Sequence, residues 1–271
     1  MPELPEVETT RRGIAPFVLG ETIRDLVVRQ TALRWPIPPD LPAIIRGRRV
    51  NAVERRAKYL LLRTDGGTLI LHLGMSGSLR VCDPNLPPKT HDHADLVFGE
   101  NLALRFHDPR RFGCLLWTTG DPLSHPLLAD LGLEPFDARF TGQYLCRTAG
   151  HRRVAVKSLI MDQHLVVGVG NIYANEALFR AGIDPRRSVR RIALARYQRL
   201  SESIRTVLHE ALQAGGTTLR DFVNEQGSPG YFQRTLAVYG RAGEPCRNCG
   251  ASIHSTRLGQ RSTFFCRHCQ H

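Results

Sequence analysis

Near the end of the chain, Cys246-x-x-Cys249 and Cys266-x-x-Cys269 stand sixteen residues apart. Two such knuckles at that spacing let four thiolates converge on one tetrahedral Zn2+, which fixes the local fold of a segment too short to hold a core of its own. Four sulfurs leave no open coordination position, so the expectation is one structural Zn2+ whose binding energy folds the segment. The competing readings are a redox pair or two disulfides, and His254 and His268 could stand in as ligands, although four cysteines suffice. The total of seven cysteines is odd, and the opening MPELPEVETTRRGI lacks the basic-then-apolar order of a secretory signal. Both favour a metal in a reducing compartment over disulfides, and hence a cytoplasmic protein. Cys82, Cys114 and Cys146 are isolated and read as small buried apolar side chains.

Between the knuckles lies HSTRLGQRSTFF, which places Arg257 and Arg261 in a hairpin. Zinc modules of this size commonly hold basic side chains against nucleic acid. The formal charge of the whole chain, +12, points the same way, to a polyanionic partner. An acidic membrane surface is the weaker choice, since no apolar run approaches the roughly 18 residues that span a bilayer.

From about Glu21 to Thr118, short runs such as TIRDLVVRQ, KYLLLRT, TLILHLG, SLRVC, DLVFG, LALRF and GCLLWT alternate with turn signals. Many short strands with no helix between them predict an antiparallel sandwich or barrel. A short helix precedes them, with Pro5 in its first turn, Glu6 and Glu8 at its positive end, and Arg11, Arg12 and Gly13 at its far end. After Thr118 the period lengthens. Segments around 123–131, 154–162, 171–181, 192–214 and 217–224 carry helical spacing, and Leu194, Tyr197, Leu200, Ile204, Val207, Leu208 and Leu212 trace one face of the fourth. The expected class is a multidomain α+β fold. It has an N-terminal antiparallel β-sandwich with a leading helix over 1–122, a helical domain over 123–236, and a terminal zinc hairpin over 237–271.

MPELPEVE, GMSGSL, HDHADL, DPRRFG, VVGVGNIYANEAL, GGTTLRDF, PGYF and the terminal cysteine pairs occur in that order along nearly the whole chain. Together they resemble the bacterial formamidopyrimidine-DNA glycosylases. The resemblance implies a monomeric, bacterial-type, cytoplasmic and nucleoid-associated repair enzyme acting on damaged double-stranded DNA. It would excise 8-oxoguanine or a formamidopyrimidine and cut the strand by β,δ-elimination. It also implies a helix–two-turns–helix element in the helical domain.

The chemistry fits the residues. Removal of Met1 gives Pro2 a secondary amine, and an α-amino group with a pKa near 8 has a useful neutral fraction at neutral pH. Attack on the sugar C1′ expels the base and leaves an iminium that cannot lose an N–H, an electron sink for strand cleavage. Glu3 beside it can protonate the opening sugar, and Glu6 can help set the field, although both also suit a helix N-terminus. By resemblance Lys58 holds phosphate and moves protons beside Pro2, and Arg261 assists the second elimination.

A flipped nucleotide leaves a hole in the stack. Met75 in LGMSG and Arg110 and Phe112 in DPRRFG sit on tight turns suited to filling it, the arginine facing the orphaned cytosine by resemblance. Asn171 begins a helix after Gly168 and Gly170 and can hold a phosphate there. Lys157 and Arg152 in HRRVAVK, and Tyr239, read as further backbone contacts. His91 and His93 could be taken for a metal pair, with Asp92 and Asp95 beside them; by resemblance His91 faces the DNA backbone instead. The glycine-rich loop 226–232 would cover the extruded purine. An endonuclease VIII-like enzyme, the nearest alternative, usually has glycine where Leu4 stands here. If several lysines and arginines neutralise phosphates, affinity for DNA falls steeply with salt. A plot of log K against log[salt] is expected to have a slope of magnitude at least about 4, and a flat plot would remove the basic interface.

Overall fold

The computed structural model describes residues 1–216 and 236–271. The expected helix over 217–224 and the glycine-rich loop 226–232 lie outside the described residues. The chain divides into two compact units, one built on Met1–Ala129 and the other on Asp130–Gln213 with the described end of the chain.

The first unit opens with α1 (Leu4–Val18). Its start is as expected, with Pro in the first turn and Glu6 near the positive end. It does not end at Arg11, Arg12 and Gly13, because Ile14 and Val18 beyond them are fully buried. A glycine inside a helix costs about 1 kcal/mol, and burying one Ile or Val returns more than that. Pro16 falls in the last turn, where only one intrahelical bond is lost.

Then follow β1 (Asp25–Val28), α2 (Leu41–Ile45), β2 (Val50–Arg56), β3 (Tyr59–Thr64), β4 (Gly67–His72), β5 (Ser78–Cys82), β6 (Asp92–Val97), β7 (Ala103–His107) and β8 (Cys114–Thr118). They form two four-stranded antiparallel sheets, in the orders β1-β6-β7-β5 and β2-β3-β4-β8. Leu26, Leu79, Leu96, Leu104 and Phe106 of one sheet and Val53, Leu60, Leu62, Leu69, Leu71 and Leu115 of the other share a core with Val7, Ile14 and Val18 of α1. This is the expected sandwich with its leading helix. Leu61 and Ile70, on the opposite face of the second sheet, are buried too, which is why β3 and β4 read as continuous apolar runs. Strand β2 was not expected. Its inward residues Val50 and Val53 are three apart because a bulge lies between Val50 and Ala52, and this breaks the period of two.

The second unit holds α3 (Gly142–Ala149), α4 (Val156–Ile160), α5 (Asn171–Ala181), α6 (Leu194–Gln213) and the hairpin β9 (His254–Leu258) and β10 (Arg261–Phe265). Helix α5 matches its expected span and ends on Gly182 in the left-handed conformation. In α6 the expected face is buried except at its ends, where Leu194 is exposed and Leu212 half-buried. Helix α3, capped by Thr141, was not anticipated. The helix expected over 123–131 is a short 3-10 turn, Pro122–Ser124, followed by further turns, with Leu123 exposed and Pro126 unable to continue a helix. No described helix is long and apolar enough to cross a membrane.

Two loops of the first unit meet through glycine. A Cβ on Gly113 would stand 2.5 Å from the carbonyl oxygen of His72 and 2.6 Å from Phe106 Cζ, while one on Gly74 would stand 2.7 Å from Gly113 N. Gly113→Ala is therefore expected to destabilise the protein by about 2 kcal/mol or more, read as a lowered denaturation midpoint at unchanged m-value. An unchanged midpoint would show that this contact yields freely.

Candidate active site and nucleic-acid interface

The N-terminus is buried by the helix that follows it. Pro2 is buried, as are Glu3 and Glu6, and the Glu3 N–H donates to Glu6 Oε2 at 2.8 Å in one half of a capping box. Leu4 and Val7 are 0% and 1% exposed, and Val7 joins the sandwich core, which anchors the first turn. The terminal amine, carried here by Met1, is pushed below its ordinary value by burial. Glu3 and Glu6 raise it, and Lys58 and Arg110 lower it further. The fold thus gathers four side chains from three places in the sequence around one amine. Glu3 and Lys58 were expected beside Pro2; Arg110, expected to face the orphaned cytosine, also acts on the terminal amine electrostatically.

Lys58 stands at the tip of the two-residue turn between β2 and β3, where Arg56 pairs with Tyr59 and Ala57 has φ of 55°. Directly across from Tyr59 is His72, with the rings 4.7 Å apart. The Gly74 N–H donates to His72 Nδ1 at 3.0 Å, so a neutral ring carries its proton on Nε2. Burial, then Lys58 and Arg34, lower the His72 pKa to about 4. A neutral imidazole N–H beside a lysine suits a phosphate oxygen, and sequence reasoning missed it. The available signal was a histidine ending an apolar strand just before the glycine turn that carries Met75.

Met75 is half-buried in that turn, and Arg110 and Phe112 are exposed on the neighbouring one. The Arg110 guanidinium lies 5.2 Å from the centre of the Phe112 ring. The second turn is organised by buried Asp108, whose Oδ2 accepts from the Gly113 N–H at 2.7 Å and whose backbone oxygen is 2.7 Å from His93 Nε2. His93 is therefore a buried brace. Asp92 accepts from Arg80 and lies 2.9 Å from His107 Nδ1, and Asp95 pairs with Arg105 and Arg29. With both carboxylates engaged, no metal group forms there among the described residues. His91 is exposed at φ of 73°.

In the second unit, Asn171 is the first residue of α5, and its Oδ1 is buried without a hydrogen-bond partner. Lys157 is 1% exposed, and its Nζ donates to Ser262 O at 2.9 Å and Thr263 Oγ1 at 2.8 Å, so it fastens the hairpin to α4. Arg152 pairs with Asp162 at 3.0 Å on the surface. The Tyr239 N–H, with those of Ala237 and Val238, donates to the carboxylate of Glu176 in α5. The Tyr239 ring packs against Phe264, and Arg261 is exposed at the start of β10. Glu176 and Asn175 (which accepts from the Phe264 N–H), both inside VVGVGNIYANEAL, and Gln270 (which joins Cys266 N to Ile183 O) are supports to which the sequence reading gave no role.

The four sulfurs of Cys246, Cys249, Cys266 and Cys269 lie within 4.8 Å of one another, with Cys246–Cys269 at 3.8 Å and Cys249–Cys266 at 3.5 Å. Disulfides would bring pairs to about 2 Å. A tetrahedron of Zn–S bonds has edges of about 3.8 Å, so the donors fit Zn2+.

The comparisons agree along the whole chain. Residues 1–115 match the formamidopyrimidine-DNA glycosylase N-terminal domain, 131–223 the formamidopyrimidine-DNA glycosylase H2TH domain, and 243–271 the zinc finger found in FPG and IleRS. The formamidopyrimidine-DNA glycosylase of Methylococcus capsulatus is 62% identical over 270 residues, all of both chains. The MutM (Fpg) crystal structure from Thermus thermophilus superposes with a TM-score of 0.89 at 42% identity, covering 99% of this chain and 98% of that one. Wild-type Lactococcus lactis Fpg (MutM), in complex with DNA containing N7-benzyl-Fapy-dG, gives 0.92 at 32% identity, covering 99% of each.

Stripping the metal with a chelator is expected to release one zinc per chain and unfold the hairpin while leaving the sandwich folded. Two-step thermal unfolding of the stripped protein, against zinc content measured by atomic absorption, checks this. A hairpin that kept its protection from hydrogen exchange without metal would show that zinc does not hold it.

Proposed function

We propose a residue-by-residue working of the reaction from one premise: the chain belongs to the formamidopyrimidine-DNA glycosylase family. It is a base-excision-repair glycosylase for oxidised purines in damaged double-stranded DNA, with AP lyase activity and one structural zinc. Our assignment of roles rests on one observation. The terminal amine, carried in this structure by half-buried Met1 next to buried Pro2, stands in the field of Glu3, Glu6, Lys58 and Arg110.

With Met1 removed, the amine is that of Pro2. Its lone pair bonds to C1′ of the flipped nucleotide, the C1′–N9 bond breaks, the electron pair leaves with the base, and the proton lost from the amine nitrogen passes to that base. Glu3 protonates the ring oxygen as the sugar opens, which gives the iminium. Loss of a C2′ proton then expels the 3′ phosphate, and a second elimination expels the 5′ phosphate. Lys58 serves the first elimination and Arg261 the second. Lys58 and the His72 Nε2–H hold the backbone next to the lesion. Asn171, Tyr239, His91 and Arg152 hold phosphates elsewhere, while Lys157 acts through the hairpin it fastens. Met75, Arg110 and Phe112 enter the vacated stack, and the arginine meets the orphaned cytosine. The domains divide near 122 and 236. The protein works as a monomer in the cytoplasm, reaching the nucleoid through DNA.

Borohydride reduction with a duplex carrying 8-oxoguanine opposite cytosine is expected to give a covalent adduct that maps to Pro2. Pro2→Gly should lower the excision rate by orders of magnitude, and Glu3→Gln by about 100-fold or more. Burial lowers the pKa of the terminal amine carried by Met1, and the same surroundings are expected to act on the amine of Pro2, whose neutral form is the nucleophile. The rate should therefore rise with pH through a midpoint below 8 and be lost below it. An adduct elsewhere, or full activity in Pro2→Gly, would overturn the assignment.

A further inference from the structure

The turn that presents Lys58 is not one its own sequence favours. Ala57 is 4% exposed and sits at φ of 55°, a region that residues with a Cβ avoid, where glycine would be at ease. Something outside the turn has to hold it. The neighbouring Arg55 is aimed to do so: its Nη1 donates to the Ala57 carbonyl at 2.8 Å and its Nε to Glu8 Oε2 at 3.2 Å. Arg55 and Glu8 are each only 12% exposed.

Glu8 belongs to α1, the helix whose first turn carries the reacting terminus. Its carboxylate also accepts from Arg11 Nε at 3.0 Å and Nη2 at 2.8 Å and from Arg12 Nε at 2.9 Å. Arg11 in turn donates through Nη1 to Val53 O of β2 at 3.1 Å. Burial raises the Glu8 pKa, but the hydrogen bonds from Arg11 and Arg12 and the charge of Arg55 hold it below the ordinary carboxylate value, so it stays ionised. The result is a fixed anion on α1 that binds the β2–β3 turn through one planar fork. A lysine at 55 would offer a single point charge where two directed bonds are made.

We propose that Arg55 is a positioning residue: by joining Glu8 of α1 to the Ala57 carbonyl, it holds the strained turn and sets the distance between Lys58 and the Pro2 amine. This rests on the reading of Pro2 and Lys58 given above. The groups facing the terminal amine of Met1, one residue before Pro2, are Glu3 and Glu6 from the start of α1, Lys58 from the turn and Arg110 from the 108–113 loop, and on the reading above they face the Pro2 amine once Met1 is removed. Lys58 is one of the two that lower the amine's pKa. A turn that slackens and lets the lysine withdraw therefore raises the pH at which the nucleophile becomes neutral.

The test uses full-length protein beginning at Pro2, with Arg55→Lys, Glu8→Gln, Ala57→Gly and the double variant Arg55→Lys/Ala57→Gly. Single-turnover borohydride trapping is measured across pH, and affinity for a duplex holding a tetrahydrofuran abasic analogue is measured by anisotropy. Arg55→Lys and Glu8→Gln should each slow trapping by about tenfold or more, since small misplacements of a catalytic group are costly. They should move the acid limb to higher pH and change the dissociation constant by less than about threefold. Glycine at 57 accepts the left-handed conformation without help, so the double variant should recover part of the rate lost in Arg55→Lys. Three results would overturn the proposal. They are unchanged trapping in Arg55→Lys, lost affinity at an unchanged single-turnover rate, or a rate that falls with thermal stability while the acid limb stays in place. Failure of the wild-type protein to trap at all would instead remove the Pro2 reading beneath it.

Discussion

A nucleophile at the first residue of a chain has no backbone before it to hold it in place. All of its restraint must come from the residues that follow. Here that restraint is the first turn of α1, with Leu4 buried, Val7 sunk in the sandwich core and the Glu3 N–H held by Glu6. Full burial of such side chains is worth about 2 kcal/mol each, enough to keep the first turn from fraying. Burial also disfavours the protonated form of the terminal amine that Met1 carries here, and a Pro2 amine in the same surroundings would be made a better nucleophile by the packing that fixes its position. Position and reactivity have one cause.

The same logic governs the two loops that carry Met75, Arg110 and Phe112. Exposed Arg110 and Phe112 can be rigid only if the backbone beneath them is, and that backbone is closed by Asp108 and pressed against Gly74 with no Cβ between. Gly74 also donates its N–H to His72. One glycine thereby links the turn that carries Met75, the turn that carries Arg110 and Phe112, and the neutral imidazole beside Lys58. A wedge that inserts between bases has to resist the cost of unstacking them, a few kcal/mol, without bending itself.

Much of this was legible in the sequence, and the exceptions have physical causes. The cysteine spacing, the strand runs and α5 were readable because each follows a strong local rule: tetrahedral ligation, short apolar alternation, and a helix closed by Gly182. Strand β2 was hidden by its bulge, and α1 was shortened on paper because Gly13 looks like a stop when the burial of Ile14 and Val18 is not known. At the site, residues with a direct role were picked out and their supports were not, even where, as with Asp108 and Glu176, they stand inside a motif. His72, Asp108, Glu176 and Gln270 act through hydrogen bonds to backbone groups distant in sequence, and no local pattern encodes those. Lys157 shows the opposite error: a basic run reads as surface, yet the hairpin's own acceptors bury this ammonium.

The hairpin shows why such supports are needed. Its apolar cluster is small: Ile253, Val238, two cysteines and Phe179 borrowed from α5. A module of that size cannot offset the conformational entropy of its own chain, so metal and polar docking must make up the difference. Helix α5 supplies the docking, since Asn175 and Glu176 satisfy four backbone N–H groups of the terminal segment between them. A buried carboxylate such as Glu176 is tolerable only while those donors are in place. Asn171 lies at the start of the same helix, one turn before these residues, and Asn175 Nδ2 donates to its carbonyl at 2.6 Å. The N-terminal end of α5 and the strand that bears Arg261 are therefore ordered by one buried polar network, and zinc, by folding the hairpin, acts on both.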